Sequence, residues 1–216
     1  GFLINGLSEL FNKKIRSVGE LPIITISREK GSGGRPIAYL VAHKLGKPWK
    51  VFHEEIVNQI AKEENLEKKL VKELDETKVP LIDELIADLF GNRYFNLAIY
   101  YRDLLKILST IGQRGYAIIV GRGADYLFPH ALKVRIVCEM TQRIQWMMEY
   151  EKLSKKEAMQ RIEESDRKRV EFIKTLYQHD LRKAHHYDLV IRTGPSLSIE
   201  DATNFIVLAA RKRFKL

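Results

Sequence analysis

Short runs of consecutive apolar residues alternate along this chain with longer stretches whose apolar positions recur at helical spacing. Residues 23–27 (IITIS) form the first run, of strand length, and a glycine-rich segment carries it into a helical pattern over 36–45. Pro36 suits the first turn of that helix, where its missing N–H is no loss, and Gly46 suits its C-cap. A short strand at 50–53 precedes a charged helical stretch over 54–76, which Pro80 breaks. Helical patterns return at 81–90 and 94–114, divided by a Gly91-Asn92 turn. Residues 116–120 and 134–138 read as buried strands, the second followed by Thr141 as the cap of a helix over 142–150. Ser154 and Glu157 have capping-box spacing ahead of a helix over 155–178. Residues 188–191 form the last strand, and Ser198 with Asp201 opens a final helix that runs to about Arg213.

Strands that alternate with helices, several of them continuous apolar runs, predict a parallel sheet covered on both faces. With no internal repeat and no low-complexity linker, one domain is expected over 21–216. Residues 1–20 form an N-terminal extension in which Leu3, Leu7, Leu10, Phe11 and Ile15 fall near helical spacing. Such an amphipathic helix packs on its own domain or on a dimer mate; docking on a membrane surface or a partner is the other reading. A homodimer is therefore one arrangement open to the chain.

At 216 residues, 45% of them apolar and 30% charged, the chain has the make-up of a soluble globular protein with a sizeable core. No apolar run approaches the roughly 18 residues of a transmembrane segment, and no stretch has the order of a secretory signal. The single cysteine, Cys138, lies in the apolar run VRIVC and can form no internal disulfide. It reads as a buried small hydrophobe, and a cytoplasmic location is expected. The net charge of +9 favours anionic partners. Apart from 166–169 and the tail 211–215 the basic residues are scattered, and the aromatic residues show no RNA-recognition pattern, so nucleic acid ranks below nucleotide as the anion.

The chemistry concentrates where the first strand meets the first helix. SREKGSGGRP gathers backbone N–H groups and a helix N-terminus at one point, a ready site for phosphate. Gly31, Ser32, Gly33, Gly34 and Arg35 are the residues expected to bind phosphate through their N–H groups. A P-loop of the pattern GxxxxGK[ST] places lysine on the terminal phosphates and a hydroxyl on Mg²⁺. Counted from the strand end, Gly34 stands at the lysine position, with Arg35 and Pro36 following where a hydroxyl is wanted. Arg28, Lys30 or Arg35 could supply the charge, and Arg35 is the closest in sequence. Ser32 is a weak candidate for Mg²⁺. His185 and His186 lack the further ligands of a metal site, so no protein-bound metal is expected.

Three segments in order, ITISREKGSGGRPIA, IIVGRGADYLF, and ESDRKR followed by YDLVIRTG and LSIEDA, resemble the cytidylate kinase-like family, P-loop relatives of the nucleoside-monophosphate kinases. The resemblance covers about 21–211. It implies an α/β, three-layer P-loop NTPase-type fold with a mostly parallel sheet, a helical acceptor-binding region at about 54–114 and a lid helix within about 154–185. Its donor would be ATP or GTP with Mg²⁺, and its partners a nucleotide and a small phosphorylated acceptor. Arg122 matches the arginine that faces the acceptor in Asp-Gly-Arg-Asp, with Val120 and Gly123 in place of the flanking aspartates; Asp125 follows two residues on. Asp166, Arg167 and Arg169 match the lid pattern, and Arg182 is a second lid candidate. On a helix 166 and 169 share a face, while 167 is offset by about 100°. His53 falls where the family often has an acidic residue near the acceptor. The aromatic block Tyr94, Phe95, Tyr100 and Tyr101 could stack a base, although core packing accounts for it as well.

These residues point first to a nucleotide-dependent kinase, passing phosphoryl from ATP or GTP to a nucleoside monophosphate or similar small acceptor. Arg35, Arg122, Arg167 and Arg169 would act on the moving phosphoryl group, because guanidinium binds phosphate bidentately and stays charged. His53, Arg122, Asp125 and Asp166 would meet the acceptor. A catalytically impaired nucleotide sensor on the same fold is the second reading, and a basic nucleic-acid-binding protein the third.

Overall fold

The computed structural model describes residues 20–74 and 76–216. The amphipathic helix expected over 1–20 therefore lies, apart from Glu20, outside the described residues. At the centre is β1 (Ile23–Arg28), flanked by β3 (Ala117–Val120) and β4 (Leu132–Cys138), with β2 (Lys50–Phe52) and β5 (Leu189–Thr193) at the edges. All four pairings of this β2-β3-β1-β4-β5 sheet are parallel, as continuous apolar strands require when both faces are covered.

Alternation along the strands feeds two cores. Ile23, Ala117 and Ile119 point to one face, where α2 (Glu54–Lys62), α3 (Glu64–Lys72), α4 (Val79–Phe90) and α5 (Ile99–Arg114) pack. Ile24, Ile26, Ile118 and Val120 point to the other, under α1 (Gly34–Leu45) and α9 (Ile199–Phe214). The short α6 (Ala124–Leu127) follows β3. Beyond β4 come α7 (Met140–Glu151) and the long α8 (Lys155–Tyr177), which share a smaller apolar cluster of Ile144, Met147, Ala158 and Ile162. The result is the three-layer α/β arrangement of a P-loop NTPase-type fold, with the β1 and β3 loops side by side at the carboxyl ends of the strands.

The expected elements are present, with local differences that have physical causes. α1 starts at Gly34, two residues before Pro36, because Gly33 caps it in the left-handed region at φ 95°. The stretch 54–76 is not one helix: Glu63 is extended (φ −114°, ψ 101°) and divides α2 from α3. Pro80 opens α4 from within its first turn instead of standing before it. Residues Gly91–Asn96 form a 3₁₀ turn, so α5 begins at Ile99 rather than 94. Thr141 is not a cap, since α7 starts at Met140 with Glu139 at the cap position. Both capping boxes are formed: Ser154 with Glu157 on α8, and Ser198 with Asp201 on α9.

Candidate phosphate and nucleotide site

The glycine loop leaves β1 at Arg28 and enters α1 at Gly34. Two of its glycines need their freedom: Gly31 (φ 80°) and Gly33 (φ 95°) are in the left-handed region, and a Cβ on Gly33 would run into the Ile199 side chain at the start of α9. Ser32 is fully buried. Its hydroxyl donates to the Glu29 carbonyl at 2.7 Å, and its own carbonyl accepts from the Thr193 hydroxyl at 2.8 Å. Ser32 is thus a strut of the loop, its hydroxyl already engaged.

A cleft of ≈ 960 Å³ opens above this loop, within the range of nucleotide-sized sites. Its floor is the glycine loop and the start of α1; Trp146, Tyr150 and Arg161 line one wall, and Ser198, Ile199 and Glu200 another. A second, water-sized cavity of ≈ 20 Å³ lies between Gly121–Gly123, Asp125, Tyr126 and the α8 residues Phe172 and Ile173. The two cavities share two lining residues, Arg28 and Arg169.

Three guanidinium groups gather there. Arg28 and Arg122 both pair with Glu54, at 3.9 and 3.1 Å, and Glu54 is their one ion-paired carboxylate among the described residues. Glu54 follows the cap residue His53 on the first turn of α2, where a carboxylate also suits the helix dipole. Arg169 donates to the Arg28 carbonyl at 3.2 Å and lies 3.7 Å from Asp166. Burial, with Arg169 and Arg122 adding repulsion, pushes Arg28 down to about 9 despite the opposing pull of Glu54. Burial also lowers Arg169. Arg122 sits over the Phe172 ring at 4.1 Å, and its Nε is buried with no hydrogen-bond partner. Gly121, Arg122 and Gly123 all have positive φ (77°, 56° and 72°), an unusual run that holds the Arg122 side chain inward. A Cβ on Gly123 would overlap the Tyr177 ring, whose hydroxyl donates to the Arg122 carbonyl at 2.9 Å.

A second network ties α8 to the loop. The Lys30 N–H donates to Asp166 Oδ1 at 2.7 Å, and Arg143 Nη1 to Asp166 Oδ2 at 2.6 Å. Arg143 also donates to the Cys138 carbonyl and lies 3.6 Å from Glu29, whose carboxylate accepts the Cys138 N–H. A carboxylate of α8 thus takes the Lys30 N–H, the group just before the loop glycines.

Of the residues singled out in the sequence, Arg28, Lys30, Gly31, Gly33, Gly34, Arg35 and Arg169 line the cleft, and Arg122 and Asp125 line the small cavity. Arg35 faces outward, 47% exposed, and pairs with Glu55 at 3.1 Å. Arg167 lies on the outer side of α8, paired with Glu171. Asp125 is buried, with His186 Nε2 2.9 Å from its Oδ2. His53 is buried with an unpartnered Nδ1, and burial and Arg35 lower its pKa. Arg182 pairs with Asp180 at the surface. In the aromatic block, Tyr94 and Tyr101 pack on the core, while Phe95 is 71% exposed and the Tyr100 hydroxyl reaches Asn58. Sequence reasoning missed Glu54, Glu29 and Arg143. Glu54 could have been found, as it is the acidic neighbour of His53 at the position expected to face the acceptor; Glu29 and Arg143 carry no local signal. Cys138 is buried, as its apolar run suggests.

Fold and site together define a P-loop-type α/β protein with a cationic centre at the carboxyl ends of its strands. Residues 23–195 match the cytidylate kinase-like family, and the chain belongs to that family. The structure is similar to that of an uncharacterized protein from Eubacterium ventriosum, with a TM-score of 0.67 and 19% identity over 89% of this chain and 99% of that one. Another solved structure, TT1252 from Thermus thermophilus, gives a TM-score of 0.48 and 16% identity over 88% of this chain and 98% of that one. No curated protein gives a significant match. The family carries a kinase-like, nucleotide-related function. No helix among the described residues is long and apolar enough to cross a membrane.

Proposed function

We propose that this protein is a nucleotide-dependent phosphotransferase that moves a phosphoryl group from ATP or GTP to a nucleoside monophosphate or a similar small phosphorylated acceptor. One observation carries the reading: the nucleotide-sized cleft and the cavity beside Arg122 meet at two arginines, Arg28 and Arg169. Phosphoryl transfer asks for positive charge and positioning at the junction of donor and acceptor. The residues fit a triphosphate. Gly31 and Gly33 keep the loop bare, and Arg28 and Arg169 bring positive charge to the cleft; on the acceptor side the buried Arg122 Nε is a donor with no partner. The donor base would lie between Trp146 and Tyr150 on one side and Ile199 on the other.

Mg²⁺ is a different case. The Ser32 hydroxyl is engaged, Pro36 offers none, and no cluster of three acidic, His or Cys side chains occurs among the described residues. Among the described residues no side-chain set is ready-made for the ion, which would be held mainly by the phosphates and water.

The acceptor side holds only a water-sized space, so admitting substrate would take an outward shift of α8 ahead of Ile173, Leu176 and Tyr177, which are seated in the core. Its ties to the loop, through Asp166 and Arg169, are the contacts that would open and re-form. Incubation with ATP or GTP, Mg²⁺ and a panel of nucleoside monophosphates tests the reading by the appearance of a diphosphate. Nucleotide binding without any transfer would instead support a sensor, the reading favoured by Gly34 at the lysine position and by Asp166 on the Lys30 N–H.

A further inference from the structure

Gly34 stands where a P-loop carries its lysine, and its backbone gives no reason for glycine: it is the first residue of α1 and is not among the positive-φ positions. What requires glycine is a neighbour. A Cβ at 34 would lie 2.7 Å from Cγ and 2.8 Å from Cβ of Arg28. Farther along the same side chain, a Cβ at Gly121 would lie 2.5 Å from Arg28 Nη1. Two glycines on two loops therefore form a slot for one arginine, whose stem lies on the start of α1 and whose guanidinium reaches the junction of the two cavities.

Of the other basic residues of the loop, Arg35 pairs with Glu55 and faces solvent, and Lys30, a third exposed, shares Glu151 with Arg161. Arg28 shares Glu54 with Arg122, and its side chain is 11% exposed. A buried guanidinium with half a counter-ion is a group awaiting an anion.

We infer that Arg28, seated on Gly34, takes the part of the missing P-loop lysine and binds the terminal phosphates of the donor nucleotide. The cation is moved from the start of the helix to the end of the strand, and the two positions exclude each other: a side chain at 34 needs the volume that Arg28 fills. The inference rests on the reading of the cleft as a nucleotide site.

The test is calorimetric titration of the full chain with ATP and with AMP, which lacks the terminal phosphates, alongside thermal melts. In Arg28→Met, which keeps the stem but not the charge, ATP affinity should fall roughly 10- to 100-fold, as loss of a charged hydrogen bond predicts. AMP affinity should change far less, and the melting temperature should hold or rise. Arg28→Gly should lose ATP affinity likewise, and Arg28→Gly combined with Gly34→Lys, which clears every atom of residue 28 that a Cβ at 34 would meet, should regain much of it by restoring a cation from position 34. Unchanged ATP affinity in Arg28→Met, or no recovery in the double variant, would overturn the inference while the cleft reading stands. An unaltered protein that binds neither nucleotide would overturn both.

Discussion

Arg28, Arg122 and Arg169 are three guanidinium groups crowded near one shared carboxylate, and such crowding costs stability in the unliganded fold. The cost has a pH signature. Burial and the neighbouring arginines push Arg28 down to about 9, well below the ordinary arginine range, so from about 9 up to that range the unfolded chain binds more protons and stability rises with pH. Below about 9 the penalty is present in full. Urea unfolding should accordingly show Arg28→Met more stable than the unaltered protein at pH 7, by on the order of 1–3 kcal/mol, and the advantage should narrow at pH 10. An equal gap at both pH values would contradict this account. Glu54→Gln should act in the opposite sense, lowering stability at pH 7 by about 1–3 kcal/mol because two arginines lose their partner. At this scale the sequence was only partly readable. The loop glycines, Arg122 and Arg169 stand out by spacing, and all of them line one of the two cavities. The slot for Arg28 does not, because the contact between residues 28 and 34 depends on how β1 and α1 pack. Proximity in sequence singles out Arg35, which lines the cleft and pairs there with Glu55.

Among the elements, the helices with strong local signals were the legible ones. The capping boxes of α8 and α9 announce themselves by Ser-x-x-Glu and Ser-x-x-Asp, and both close. Ser154→Ala should cost about 1 kcal/mol, a drop of roughly 2–4 °C in a melt of a chain this size. The division at Glu63 was not legible, since charged residues of good helix propensity run through it and only tertiary packing turns the chain. Likewise α8 reads as a charged, solvated helix, yet its middle is fastened to the loop by Asp166. Removing that tie with Asp166→Ala should speed hydrogen exchange at the Lys30 amide and along the middle of α8, with the sheet amides unaffected. Unchanged protection at Lys30 would show that the tie does not hold α8 down.

For the molecule as a whole, alternation of apolar strands and helices was enough to define a parallel α/β fold, because the central strands β1, β3 and β4 bury both faces between helical layers. The order of the strands and the meeting of two loops at one cationic centre come from the crossovers, on which residue spacing is silent. Membership of the cytidylate kinase-like family over residues 23–195 agrees with that architecture, while Gly34 departs from the pattern GxxxxGK[ST] at the lysine position. The central claim is phosphoryl transfer at this centre. The most direct measurement follows ³¹P resonances of ATP with Mg²⁺ and each nucleoside monophosphate in the presence of the intact protein. The account predicts that ATP is converted to ADP as one monophosphate becomes its diphosphate, with the rate strongly reduced in Arg28→Met. Bound ATP that stays intact with every acceptor would contradict it.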